Sequence, residues 1–170
     1  MRFRDALAPR LAVQTFDCWL ALRVDGQVPK KDLLCPLGLP PAALPYIMLM
    51  EWMGEGVEFR CRLVGDGVRE WYGTNVVGQS MRDLIPPEAH AQRAPLLRHC
   101  LSEGAPAWFS GPMLVNKQPV RHAGRLMLPV TYRGETPDGI VMVVFIDEAA
   151  HTRPSIALDE TRTCPRAELG

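Results

Sequence analysis

Histidine and cysteine are the residue types in this chain best able to bind a metal ion or to attack a substrate. The 170 residues include four histidines and five cysteines. None of them is spaced as H-E-x-x-H, C-x-x-C or another zinc-binding pattern, and no G-x-S-x-G turn marks a nucleophilic serine. We therefore predict that the protein is not an enzyme and that it has no metal site.

Arginine pairs are the second feature that could do chemistry, because a guanidinium can hold a carboxylate or a phosphate through two parallel hydrogen bonds. Arg121 and Arg125 have the four-residue separation seen in receptors for cyclic dinucleotides. The second element of such a receptor, D/N-x-S-x-x-G on a later strand, is absent, so we expect a surface strand with exposed arginines. Arg60 and Arg62 flank predicted buried positions and are candidate polar anchors for a carboxylate.

Composition and charge indicate one folded domain. Hydrophobic residues make up 47% of the chain, enough for a buried core, and 19 basic residues balance 19 acidic ones. Because the formal net charge is zero, we expect no nucleic-acid partner. The longest apolar run, residues 140–146, is far shorter than the ~20 residues that a membrane span requires. The cysteines are odd in number and widely scattered, which predicts reduced thiols rather than disulfides. The N-terminus lacks the apolar stretch of a signal peptide, so we expect the protein in the cytoplasm.

A short series of helices and strands would position these residues. Apolar spacing over 5–23 predicts an amphipathic helix, which leads into a proline-rich connection that ends at residue 45. Alternation then predicts a hairpin over 46–64, followed by short helices at 66–72 and 78–85 and a longer helix that ends at 103. Strands are predicted at 107–115, 121–133 and 140–148. We therefore divide the chain into an N-terminal helix and connection (1–45), a core (46–148) and a flexible tail (149–170).

This order of elements is that of a PAS domain, and three stretches make the resemblance more specific. They read E-F-R-C-R-L-V-G at 58–65, V-G at 77–78 and L-M-L-P-V at 126–130. The chain resembles a single-domain bacterial PAS-like family described from alphaproteobacteria, with an F-R-x-R-L-V-G strand motif. The resemblance implies an α+β, PAS-like fold, with a five-stranded antiparallel sheet, helices on one face and the N-terminal amphipathic helix.

The resemblance also implies a cytoplasmic sensory or signalling module. It would bind a small ligand, a protein partner or both, and would signal in trans because no effector domain is expected. A curved sheet and its covering helices can enclose a small apolar pocket, which would take an apolar or amphipathic ligand. The residues expected to face inward either line such a pocket or only fill the core. They are Phe59, Cys61, Leu63, Trp71, Leu97, Leu101, Leu126 and Leu128.

The first helix is the predicted homodimer interface. Val13, Phe16, Trp19 and Leu20 share one apolar face, which would lack cover in a monomer. The alternative is that this helix folds back onto its own sheet.

Two other functions remain open at this level. The protein could be a haem-binding gas or redox sensor with His99 as the iron ligand, because haem sensors with a PAS fold ligate iron from the corresponding long helix. It could equally be a dimeric adaptor or scaffold without a ligand. Apart from haem, no cofactor is predicted, since no cysteine lies in the Asn-Cys-Arg-type motif of a flavin photosensor.

Overall fold

One antiparallel sheet of six strands forms the centre of the protein. The computed structural model describes residues 1–148 and 157–170. The strands lie in the order β2-β1-β5-β4-β3-β6, and every neighbouring pair is antiparallel. Their bounds are Ile47–Trp52 (β1), Phe59–Val64 (β2), Ala107–Val115 (β3), Gln118–Val130 (β4), Gly139–Ile146 (β5) and Glu160–Thr163 (β6).

Five α-helices accompany the sheet within the described residues. The longest ends at Glu103 and is capped by Gly104, whose positive φ of 58° gives the left-handed turn that glycine adopts without cost. Pro87 begins this helix, where a missing N–H does no harm. The bounds of the helices are Arg10–Ala21 (α1), Lys31–Leu34 (α2), Asp66–Tyr72 (α3), Met81–Leu84 (α4) and Pro87–Glu103 (α5).

Both faces of the sheet are buried along β5, which explains the unbroken apolar sequence of this strand. One face packs against α1 and the other against α3 to α5, so two hydrophobic cores lie on opposite sides of the sheet. Along β5, Val141 and Val143 enter the first core, and Ile140 and Met142 enter the second. A strand covered on both sides has no solvent-facing position and therefore loses the usual alternation.

Helix α1 folds back onto the sheet of its own chain. Phe16 and Trp19 are buried in the first core, and Val13 and Leu20 pack partly against it. The indole Nε1 of Trp19 donates a hydrogen bond to the carbonyl of Pro129 at 2.8 Å. The apolar face of α1 therefore has cover within the monomer. This placement removes the reason for choosing these four residues as a dimer interface.

The C-terminal segment differs from the predicted flexible tail of residues 149–170. Strand β6 pairs with the edge strand β3, and Cys164 and Leu169 are buried in the first core. Arg23 Nη1 donates to the Leu169 carbonyl at 2.7 Å. The segment folds because it covers an open strand edge and supplies apolar groups to an existing core. Residues 149–156 of the predicted tail lie outside the described residues.

The docking of the C-terminus leads to a stability prediction. Leu169 is 7% exposed and Leu37 is 90% exposed, so the two leucines form a matched pair. We expect Leu169→Ala to lower the free energy of unfolding by about 2 kcal/mol, because a buried leucine is truncated. Leu37→Ala should change it by less than about 0.5 kcal/mol. Urea denaturation measures both values, and equal small effects would show that the C-terminus does not pack on the core.

No helix in the described ranges is long and apolar enough to cross a membrane.

Candidate ligand-binding cavity

A cavity of about 70 Å³ lies in the second core, between the sheet and helices α3 to α5. This volume is several times the ~15 Å³ that one water molecule needs on the same measure. Most of the wall is apolar, and methionine is its most frequent residue. Five methionines line it: Met48, Met50, Met81, Met113 and Met142.

Two buried arginines form the charged part of the wall. Arg93 on α5 and Arg125 on β4 are 4% and 7% exposed, respectively. Both donate to one acceptor, the carbonyl of Pro112, through Nη2 at 3.2 Å and 3.0 Å. Arg125 Nη1 also donates to the Ala123 carbonyl at 3.0 Å, and its guanidinium lies 5.0 Å from the centre of the Phe109 ring. Backbone carbonyls thus hold the two guanidiniums near each other.

The surroundings of these arginines are unfavourable for positive charge. The pKa of Arg125 is lowered to about 9, mainly by burial and to a smaller extent by the positive charge of the neighbouring Arg93. Burial likewise lowers the pKa of Arg93 to about 10. Both groups remain cations at neutral pH, because these pKa values still lie above 7. No carboxylate of the described residues forms an ion pair with Arg125, whose charge is instead met by carbonyl dipoles and by the face of the Phe109 ring.

The predicted surface strand with exposed arginines is wrong at Arg125. Arg121 is exposed, but Arg125 is buried on the same side of β4. The first residues of this 13-residue strand extend beyond the helices, whereas residues from 123 onward are covered. Arg93 was not selected at all, although it lies four residues before Leu97 on the apolar stripe of α5. Its position on the apolar stripe of α5 is the sequence feature that would have indicated a buried arginine.

Two of the predicted pocket residues, Trp71 and Leu97, line the cavity. Phe59 and Cys61 are buried in the same core, and Leu101 packs partly against it. Burial raises the pKa of the Cys61 thiol to about 11, so this thiol stays protonated at neutral pH.

Leu126 and Leu128 face away from the cavity, contrary to prediction. Both are buried in the first core, beneath α1, while Met127 between them enters the second core. The prediction placed the pocket-forming helices on one face of the sheet and did not include the cover that α1 provides on the other face. Because successive side chains of a strand point to opposite faces, residues 126 and 128 cannot share a face with Met127.

Leu63 is also displaced from its predicted position, and a β-bulge is the cause. Met50 pairs with Cys61 but Leu49 pairs with Leu63, which leaves Arg62 as an extra residue. The alternation therefore reverses after Cys61. Leu63 is 39% exposed, and Val64 takes the inward position in the second core.

The predicted polar anchors, Arg60 and Arg62, have other neighbours. Arg62 forms an ion pair with Glu51, a buried carboxylate that Arg133 also contacts at 2.9 Å. Arg60 pairs across the edge of β2 with Ser80. Arg93 and Arg125 line the cavity, whereas Arg60 and Arg62 do not.

A buried carboxylate connects the hairpin to the helices of the cavity wall. Glu58 precedes β2, has a φ of 61° and is 2% exposed. Its Oε2 lies 3.0 Å from Nη2 of Arg82 and 2.6 Å from Nε2 of His90. Its Oε1 accepts a hydrogen bond from Arg98. Glu58 thereby joins the β1–β2 turn to α4 and α5.

No family model and no curated protein matches the sequence. A solved structure of a LOV protein from Rhodobacter sphaeroides is similar, with a TM-score of 0.50 and 15% identity over 80% of this chain and 68% of that chain. The chain has a PAS-like fold. A PAS domain of Bordetella pertussis BvgS also matches, with a TM-score of 0.47 and 17% identity over 62% of this chain and 79% of that one.

The predicted PAS-like fold is thus confirmed, with six strands where five were expected. The additional strand is β6, which comes from the C-terminal segment. Membership of the alphaproteobacterial family with the F-R-x-R-L-V-G motif stays a prediction, because a similarity at this level of identity shows the fold alone.

The residues of this PAS-like domain do not fit a haem or a flavin. His99, the proposed iron ligand, is exposed on α5 and does not line the cavity. The cavity volume of about 70 Å³ is several times below the ~300 Å³ at which pockets for drug-sized ligands begin. No cysteine lies within α3, α4 or the residues between them. Within residues 1–148 and 157–170, no three histidine, cysteine or acidic side chains are grouped to hold a metal ion.

Proposed function

We propose that this PAS-like domain is a sensory module that binds a small ligand in the cavity between its sheet and α3 to α5. The observation that carries the proposal is the cavity itself, with a mostly apolar wall that includes two arginines. Ligand sites are concave and mostly apolar, with a few polar groups that set orientation. A cavity that served only as core would be filled by its own side chains, because protein interiors are close-packed.

The methionines of the wall suit a site that changes volume. A methionine side chain has three rotatable bonds and a polarizable sulfur, and therefore adapts to irregular neighbours. Five such side chains surround about 70 Å³, so modest rotamer changes would enlarge the space. The proposed ligand is accordingly small, with an apolar or amphipathic body.

A route for the signal runs from the cavity to the hairpin. Met81 and Leu84 of α4 and Leu97 of α5 line the cavity, and Arg82 and Arg98 on the same helices bind Glu58. A ligand that favours one arrangement of these helices would therefore shift the population of hairpin positions.

The remaining parts of the proposal concern partners and location. We propose that the domain forms a homodimer and transmits its signal to a protein partner. Exposed apolar side chains support a contact surface of this kind, among them Val24, Leu33 and Leu37. Location in the cytoplasm remains a prediction, supported by five cysteines that are all free thiols.

A cavity-filling variant tests the proposed function against a ligand-free adaptor. Leu97 lines the cavity, whereas Leu101, one turn later on α5, only packs against the same core. We expect a library of small fragments to include compounds that raise the melting temperature of the wild type and of Leu101→Phe. The same compounds should have no effect on Leu97→Phe, because the added ring atoms occupy their space.

Circular dichroism would verify that both variants fold, since overpacking costs typically 1–3 kcal/mol. If no fragment stabilises the wild type, or if the hits act equally on Leu97→Phe, the cavity is not a ligand site and the adaptor function is favoured.

A further inference from the structure

Arg125 is a buried cation on the wall of the cavity. A buried charge is costly unless a partner of opposite charge compensates it, and Arg125 has no carboxylate partner among the described residues. Arg93 places a second positive charge beside it, since both donate to the Pro112 carbonyl. An anion bound in the cavity would offset the charge of Arg125.

The donors of Arg125 are only partly used. A guanidinium has five N–H groups, and Arg125 directs three of them to the carbonyls of Gly111, Ala123 and Pro112. Its Nε–H and one N–H of Nη2 have no acceptor within residues 1–148 and 157–170. Because Arg125 lines the cavity, a ligand there can accept from these donors.

We propose that the ligand of this cavity is a small carboxylate with a short apolar chain, bound through Arg93 and Arg125. The inference rests on the proposed ligand-binding function and names its ligand class. A carboxylate presents two oxygens to the donors of a guanidinium. The apolar wall formed by Leu97, Phe109 and the methionines would contact the hydrocarbon part. A highly charged phosphate ester would lose far more hydration in such surroundings.

The carboxylate inference is tested by a pair of probes with nearly the same shape. Butyrate and butyramide differ chiefly in charge, so their affinities, measured by isothermal titration calorimetry in carboxylate-free buffer, isolate the charge effect. We expect butyrate to bind the wild type about a hundredfold more tightly than butyramide, because charged hydrogen bonds contribute more than neutral ones.

Arginine variants extend the same test. Arg125→Gln and Arg93→Gln should each weaken butyrate binding by about tenfold or more, whereas Arg121→Gln, on the exposed end of β4, should leave it unchanged. Arg125→Lys keeps the charge but loses the planar donor arrangement, so its affinity should fall between those of wild type and Arg125→Gln. Proton–nitrogen correlation spectra verify the fold of each variant, and Arg93→Gln decides the matter if Arg125→Gln does not fold.

The outcomes separate this inference from the proposed function. If butyramide binds as tightly as butyrate, or if butyrate affinity survives in both glutamine variants, the carboxylate assignment is overturned while ligand binding stands. Absence of butyrate binding also overturns the assignment, and the fragment experiment with Leu97→Phe then decides separately whether the cavity binds any ligand.

Discussion

Replacing Trp19 by alanine is expected to lower the free energy of unfolding by about 4 kcal/mol, the usual effect of truncating a large buried aromatic residue. Trp19 has no exposed surface, its ring lies 6.4 Å from that of Phe16, and its Nε1 binds the Pro129 carbonyl. The alanine would leave a cavity between α1 and the sheet and an unsatisfied carbonyl. Urea denaturation followed by circular dichroism gives the value.

The same variant distinguishes intramolecular packing from a dimer interface. Leu20→Ala is the control, since Leu20 lies on the same helix but packs only partly against the core. Light scattering should show an unchanged oligomeric state for Trp19→Ala. If Trp19→Ala lowered the free energy of unfolding by less than about 1 kcal/mol and also dissociated a dimer, the packing of α1 on its own sheet would be contradicted.

Replacing Glu58 by glutamine is expected to cost about 3 kcal/mol, because removing one partner of a buried ion pair leaves the others without compensation. Its carboxylate has three basic neighbours, Arg82, His90 and Arg98. Arg82 and Arg98 can reach solvent, which places the loss at the low end of the usual range. Glutamine is used as the replacement rather than glycine, because glycine would also relieve the strain of the positive φ at residue 58 and so mask the effect of the lost charge.

Glu55→Gln is the matched control for the Glu58 variant, because Glu55 lies in the same turn and is exposed. Its effect should stay within about 0.5 kcal/mol. Hydrogen exchange should also show faster opening of α4 and α5 in Glu58→Gln, since both helices lose a contact to the hairpin. Equal denaturation curves for the two variants would show that the Glu58 cluster contributes nothing to stability.

Most of the fold was predictable because local signals agree with the final packing. The strand predicted over 107–115 matches β3, and the proline and glycine at the ends of α5 mark its bounds. Leu126 and Leu128 were misplaced for a different reason. The predicted alternation of side chains along this strand is correct. Only the position of α1, however, shows that the face opposite the cavity is buried too.

The site was less predictable, because its main residues do not follow the general preference for arginine at the surface. Arg125 differs from Arg121 only in the part of β4 that the helices cover, which is a tertiary property. The bulge at Arg62 likewise has no clear signal in the local sequence, yet it moves Leu63 outward and Val64 inward. The sequence therefore indicated the region of the cavity but not the two arginines in its wall.

The most direct test of ligand binding in this cavity is a titration observed through the methionine methyl groups. The chain has eight methionines, of which five line the cavity, while Met1 and Met53 are exposed. The protein is labelled with ¹³C at the methionine methyl groups, and Met→Leu variants assign the signals. The titrated probe is the fragment that most stabilises the wild type. Saturable shifts of the Met48, Met50, Met81, Met113 and Met142 signals are predicted, with Met1 and Met53 unchanged. Shifts confined to Met1 and Met53, or no shifts at all, would contradict the account.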